Sequence, residues 1–151
     1  MEGTGALKGL YVYTEKGIRV KKSEVHKLVT AVKKKLNKVV YSLEISFVGS
    51  KTIHKINKLH LGHNYVTDVI SFDYSNESNS FDGEIFICVE KAAENSKRFK
   101  VSLDDELKRL VIHGLLHFSG FDDRTKVQRS KMKKVEDEIL KSCRKIKIQK
   151  R

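Results

Sequence analysis

The stretch from Ser102 to Asp123 constrains this chain more than any other. Ser102 can cap a helix start, and Asp104 and Asp105 sit favourably at the positive end of its dipole. Leu103, Leu107, Leu110, Val111, Leu115 and Phe118 then recur at helical period, and Gly120 is placed to end the helix. Residues four apart on a helix lie about 40° apart around its axis, so His113 and His117 project from one face, one turn above the other. A pair of core histidines is the plain reading. The continuation favours a metal: Gly120 lets the chain fold back and carries Asp123 round to the open side of the pair. His113, His117 and Asp123 are therefore the expected ligands of one metal ion, with Asp122 pointing elsewhere because consecutive residues of an extended segment face different ways.

The rest of the chain supplies a scaffold of mixed type. Val25, Leu28, Val29, Val32 and Leu36 form one apolar stripe over 23–37, with Ser23 as a candidate cap. Leu43, Ile45 and Phe47 alternate with polar residues as a half-buried strand does. A second helix is expected over 50–61, short strands over 69–72 and 85–89, and a polar loop over 73–82 between them. The run 85–89 is apolar without interruption, which suits a central strand covered on both faces. Helices over 90–99 and 125–147 complete the pattern, the last with Met132, Val135, Ile139, Cys143 and Ile146 on one side. The expectation is an α+β fold: a single domain over 10–147 with a small mixed sheet flanked by helices and a zincin-like metal helix and turn. Residues 1–9 are expected to form a flexible tail and 148–151 a basic one.

Composition narrows the class. With 151 residues, 39% apolar and 33% charged, the chain can bury one core without disulfides. No apolar run approaches the ~20 residues that span a bilayer, so no membrane is expected. Residues 1–9 lack the apolar segment of a secretory signal, and a cytoplasmic location is expected. Cys88 and Cys143 are far apart and read as buried apolar residues in a reducing compartment. A net charge of +12 would draw in phosphate backbones, although lysine-rich composition alone produces the same excess. Lys33 to Lys35 and the segment 141–151 are candidate phosphate contacts, or simply solvated surface.

Zinc proteases built on such a helix and turn carry glutamate after the first histidine as general base. Here that position is Gly114, which disfavours proteolysis. A metal that acidifies water or polarises a phosphoryl oxygen, on a positive protein, points instead to RNA or DNA cleavage.

The segment His113-Gly114-Leu115-Leu116-His117-Phe118-Ser119-Gly120-Phe121-Asp122 resembles the H-G-x-L-H-L-x-G-Y-D-H signature of the YbeY family of bacterial metal-dependent endoribonucleases. Thr67 to Phe72 is similar to that family's T-D-V-L-S-F segment, Gly83-Glu84-Ile85 to its G-D-I strand, and Leu43 to Ser46 to its early strand, so the resemblance spans roughly 40–140. It implies a zinc-dependent endoribonuclease acting on precursor ribosomal RNA, in maturation of the 16S 3′ end and in quality control, with the small ribosomal subunit as partner. Three positions depart from the family pattern: its third histidine is Asp123, the G-D-I aspartate is Glu84, and the basic residue before T-D-V-L-S-F is Leu61. Lys58, His60 or His63 could supply the missing cation, and Asp68 and Ser71 could line the cleft. A non-enzymatic RNA-binding assembly factor with a structural metal is the alternative, and a metal hydrolase of another substrate a third reading.

Overall fold

The structure is a computed structural model that describes residues 6–77 and 79–149. Among these residues the chain forms four strands and five helices in the order β1 (Leu10–Thr14), α1 (Lys22–Leu36), β2 (Val39–Val48), α2 (Ser50–Leu61), β3 (Val69–Asp73), β4 (Ser80–Cys88), α3 (Val89–Phe99), α4 (Leu103–Phe118) and α5 (Lys126–Ser142). The sheet order is β1-β2-β4-β3. β1, β2 and β4 run parallel, and β3 closes the edge antiparallel to β4. The mixed α+β architecture expected from the sequence is the one observed.

Alternation along the strands divides the sheet into two faces. Leu43, Ile45 and Phe47 of β2 join Phe81, Ile85 and Ile87 of β4 in a large core with Val25, Leu28, Val29 and Val32 of α1 and the apolar stripe of α4. Val48, Cys88 and Ile70 face the other way and meet Ile53 of α2 in a smaller cluster. β4 is thus central and covered on both faces, as its uninterrupted apolar run implies. Two glycines sit where neighbouring elements come closest. A Cβ on Gly83 would lie 2.1 Å from the Phe72 carbonyl oxygen, and a Cβ on Gly114 would lie 2.8 Å from Ile85 Cδ1. Gly114 is therefore where α4 seats on β4, and a glutamate there would have no room.

Several boundaries differ from the sequence reading. β1 is an extra strand: in Leu-Tyr-Val-Tyr-Thr apolar and aromatic residues occupy both faces, which hides the period of two. α1 starts at Lys22 with no side-chain cap, so Ser23 lies inside it. β2 extends back to Val39 and β4 to Ser80, because Val39–Ser80 and Val40–Phe81 pair across the region expected to be loop. α5 ends at Ser142 rather than 147, and the basic tail expected from 148 does not begin there. The fully buried Lys108 ammonium donates to the Cys143 carbonyl at 3.3 Å and the Ile146 carbonyl at 2.8 Å. Asp104 Oδ1 accepts from the Ile148 and Gln149 N–H groups at 2.7 and 2.9 Å, and Ile148 is buried in the main core. Of the expected N-terminal tail, residues 1–5 lie outside the described residues; Leu7 packs on the core and its N–H donates to His26 Nδ1 at 2.8 Å. No described helix is long and apolar enough to cross a membrane.

Candidate metal centre

α4 carries the site, and local chemistry fixes both its ends. Ser102 Oγ accepts from the Asp105 N–H at 3.0 Å, and Asp104, Asp105 and Glu106 occupy the first turn. At the other end Gly120, at φ 96°, donates to the His117 carbonyl at 3.1 Å while the Phe121 N–H donates to the Leu116 carbonyl at 3.0 Å. These are the two bonds of a Schellman turn, and Phe121 packs on the core beyond it. The turn reverses the chain and delivers Asp123 beside the two histidines.

His113 Nε2 and His117 Nε2 lie 3.2 Å apart. Asp123 Oδ2 lies 3.6 Å from the first and 3.5 Å from the second. Donor atoms of a tetrahedral zinc site with bonds of ~2.0–2.1 Å are separated by about 3.3 Å, so the three atoms fit three corners of one. The remaining ring nitrogens are committed elsewhere. His113 Nδ1–H donates to the Glu136 carboxylate, and His117 Nδ1–H donates to the Phe121 carbonyl at 3.2 Å. In neutral rings with those tautomers, two Nε2 lone pairs and a carboxylate oxygen converge with no donor among them, an arrangement suited to a cation. Among the described residues, His113, His117 and Asp123 form the group of such side chains close enough to share an ion. Asp122 is engaged otherwise: its carboxylate accepts from the Asp123 N–H at 2.8 Å and pairs with Arg124 at 3.1 Å.

Behind the site runs a chain of buried charge that sequence reasoning missed. Arg109 donates from Nε and Nη2 to Glu106 at 2.9 and 2.7 Å and from Nη1 to Glu136 at 3.2 Å. Asn95 Nδ2 donates both to Glu106 at 3.0 Å and to Asp68 at 2.9 Å. Burial works to raise the Glu136 carboxyl, but the hydrogen bond from His113 and the charge of Arg109 outweigh it and hold the group below the usual carboxylate range. Glu106, foremost, and Glu136 raise the Arg109 guanidinium above its ordinary value against the opposing effect of burial. The available signal was a charged residue on an apolar stripe: Glu136 lies between Met132 and Ile139 on α5, both buried.

A family model described as "Endoribonuclease YbeY" matches residues 12–144. The chain belongs to that family. Among curated relatives, an Endoribonuclease YbeY from Chlorobaculum tepidum is 46% identical over 101 residues, covering 67% of this chain and 73% of its own length. One from Chlorobium phaeobacteroides strain DSM 266 is 37% identical over 132 residues, covering 87% and 92%. The solution structure of TM1509 from Thermotoga maritima superimposes with a TM-score of 0.61 at 26% identity, covering 89% of this chain and 91% of that one.

The three departures of this YbeY chain fall at distinct places. Asp123 is in the converging group. Glu84 lies on the opposite sheet face, where it accepts from the Tyr74 hydroxyl and, as the main cause, pushes the phenol up to about 12. Leu61 is the exposed last residue of α2. Of the candidate substitute cations, His60 stacks edge-on against Phe72 at 5.9 Å, His63 Nδ1 lies 2.6 Å from the Tyr65 hydroxyl, and Lys58 is exposed; none joins the metal group. Asp68 is tied to Asn95, and Ser71 pairs in register with Ile85 on the sheet face that α4 covers.

Proposed function

We infer that this YbeY chain is a zinc-dependent, single-strand-specific endoribonuclease acting in the cytoplasm on precursor ribosomal RNA. Its role is maturation of the 16S 3′ end and ribosome quality control, with the small ribosomal subunit as partner. One observation carries the reading: two imidazole Nε2 atoms and a carboxylate oxygen converge at tetrahedral spacing beneath an open surface, in a family whose relatives bear an endoribonuclease name. That name disfavours a purely RNA-binding assembly factor.

When bound, zinc supplies an acidified water and a Lewis acid for a phosphoryl oxygen. The chain supplies the rest. His113, His117 and Asp123 would hold the ion, and Glu136 and the Phe121 carbonyl keep both imidazoles in the ligating tautomer. Arg109 bridges Glu106 and Glu136 and offsets part of their charge, which keeps Glu136 in place against His113. The net charge of +12 draws phosphodiesters to the protein as a whole.

The test is incubation of zinc-loaded protein and its His117→Ala variant with precursor small-subunit RNA. Cleavage by the first, lost in the second, is expected. Intact RNA in both, with salt-sensitive binding, would leave the assembly-factor reading in its place.

A further inference from the structure

An open groove of about 560 Å³ begins at His113 and Asp123 and runs between α5 and the end of α3. Its size falls within the ~300–1,000 Å³ typical of sites for small molecules. Four of its lining residues are apolar: Met132 is buried beneath it, Leu140 half-buried, and Phe99 and Val101 exposed at 53% and 43%; the rest are polar or charged and include Asp105 and Asp137 as well as Glu106 and Glu136. Phe99 and Val101 thus place an exposed aromatic and an exposed aliphatic side chain in the same groove as two of the candidate metal ligands. Arg129 and Lys133 stand on the α5 side, and the Arg98 guanidinium lies 5.5 Å from the Phe99 ring centroid. An apolar trough with an aromatic wall, a rim of mixed charge in which Lys133 pairs with Asp137 at 3.5 Å, and the metal ligands at one end can take a base into the trough while its phosphate lies at the metal ligands.

We propose that this groove is the base-binding subsite of the nuclease, taking one unpaired nucleobase next to the scissile phosphate with Phe99 as its stacking platform. The inference rests on the nuclease reading and deepens it. It accounts for single-strand specificity, because a base held in a duplex stack cannot enter the trough while its phosphate lies at His113 and Asp123. Stacking tolerates every base, so the subsite selects for unpaired rather than for particular nucleotides.

The experiment combines a protein change with a substrate change. Zinc-loaded wild type, Phe99→Ala and Phe99→Trp are compared on a single-stranded oligoribonucleotide and on copies carrying one abasic nucleotide at each position flanking the cut. Phe99→Ala is expected to keep its zinc and lose about 10-fold in kcat/KM, with Phe99→Trp restoring the rate. One abasic position should cost wild type a similar factor and cost Phe99→Ala little more. An unchanged rate in Phe99→Ala, loss of its zinc, or fully multiplicative losses would overturn the subsite while leaving the nuclease reading intact. Titration of wild type with the same RNA, followed by the NMR signals of the Phe99 ring and Met132 methyl, separates the two readings. If wild type fails to cut but those signals shift, the groove stands and the nuclease reading falls; signals that stay put while lysine-rich surfaces respond overturn the groove.

Discussion

At the level of single residues, the turn after α4 divides the work between adjacent carboxylates. Asp123 faces the imidazoles while Asp122 closes the turn on the Asp123 N–H and Arg124. Mass spectrometry of zinc content should therefore show loss in Asp123→Ala and retention in Asp122→Ala; the reverse result overturns the ligand assignment. Glu136 is a positioning residue. Glu136→Gln should keep the fold and weaken zinc affinity about 10- to 100-fold, read by chelator competition, because such a carboxylate fixes the tautomer and basicity of His113. Leu61→Arg tests the missing family cation: a guanidinium pairs bidentately with phosphate, and a rise in RNA cleavage is expected. No rise, in a folded variant, would mean that another cation fills the role.

At the level of elements, α4 is held from both sides by features with little tolerance. Gly114→Ala would press a methyl group into Ile85 and should lower stability by about 1–3 kcal/mol, visible as a lower thermal midpoint. The segment after α5 is a strap: Lys108 and Asp104 hold its backbone, and Ile148 fills part of the core. Deleting 144–151 should cost about 3 kcal/mol or more, since it opens a cavity and leaves Lys108 short of partners. Lowered RNA affinity after that deletion would therefore say nothing of direct contact. The charge-removing substitutions Arg144→Gln, Lys145→Gln and Lys147→Gln, all at exposed positions, are the proper test of phosphate tracking.

At the level of the whole molecule, charge and protonation dominate. RNA affinity should fall steeply with salt, as expected of a +12 chain that relies on phosphate contacts; a flat response contradicts this. Stability should also fall on acidification, in two ranges. Burial lowers the His26 pKa, so the unfolded chain binds the proton first and stability present above about 6.5 is lost as pH falls. Protonation also removes the acceptor for the Leu7 N–H. Glu24, chiefly through Lys27, and Glu90, chiefly through the Ser50 N–H, are likewise held low, and their contributions persist above about 4.5 and vanish below it. Thermal midpoints against pH, measured with chelator present, should lose the upper range in His26→Asn and keep the lower one.

The sequence by itself determined everything written in short-range periodicity. The stripes of α1, α2 and α4, the alternation of β2, the cap at Ser102 and the glycine turn at 120 all depend on neighbours within a few residues. The trio His113, His117 and Asp123 belongs to this class, because one helix and one turn place all three. Tertiary structure decided what depends on distant chain. Pairing with β2 made a strand of Leu10 to Thr14, whose residues show no clean alternation. Lys108, reaching across 38 positions to Ile146, ended α5 early although its apolar stripe continues to 146. The relay Asp68–Asn95–Glu106–Arg109–Glu136–His113 joins three helices and a strand end into one polar network. A sequence shows such charges only as residues out of place on an apolar face, since the partner that makes burial tolerable is supplied by the fold.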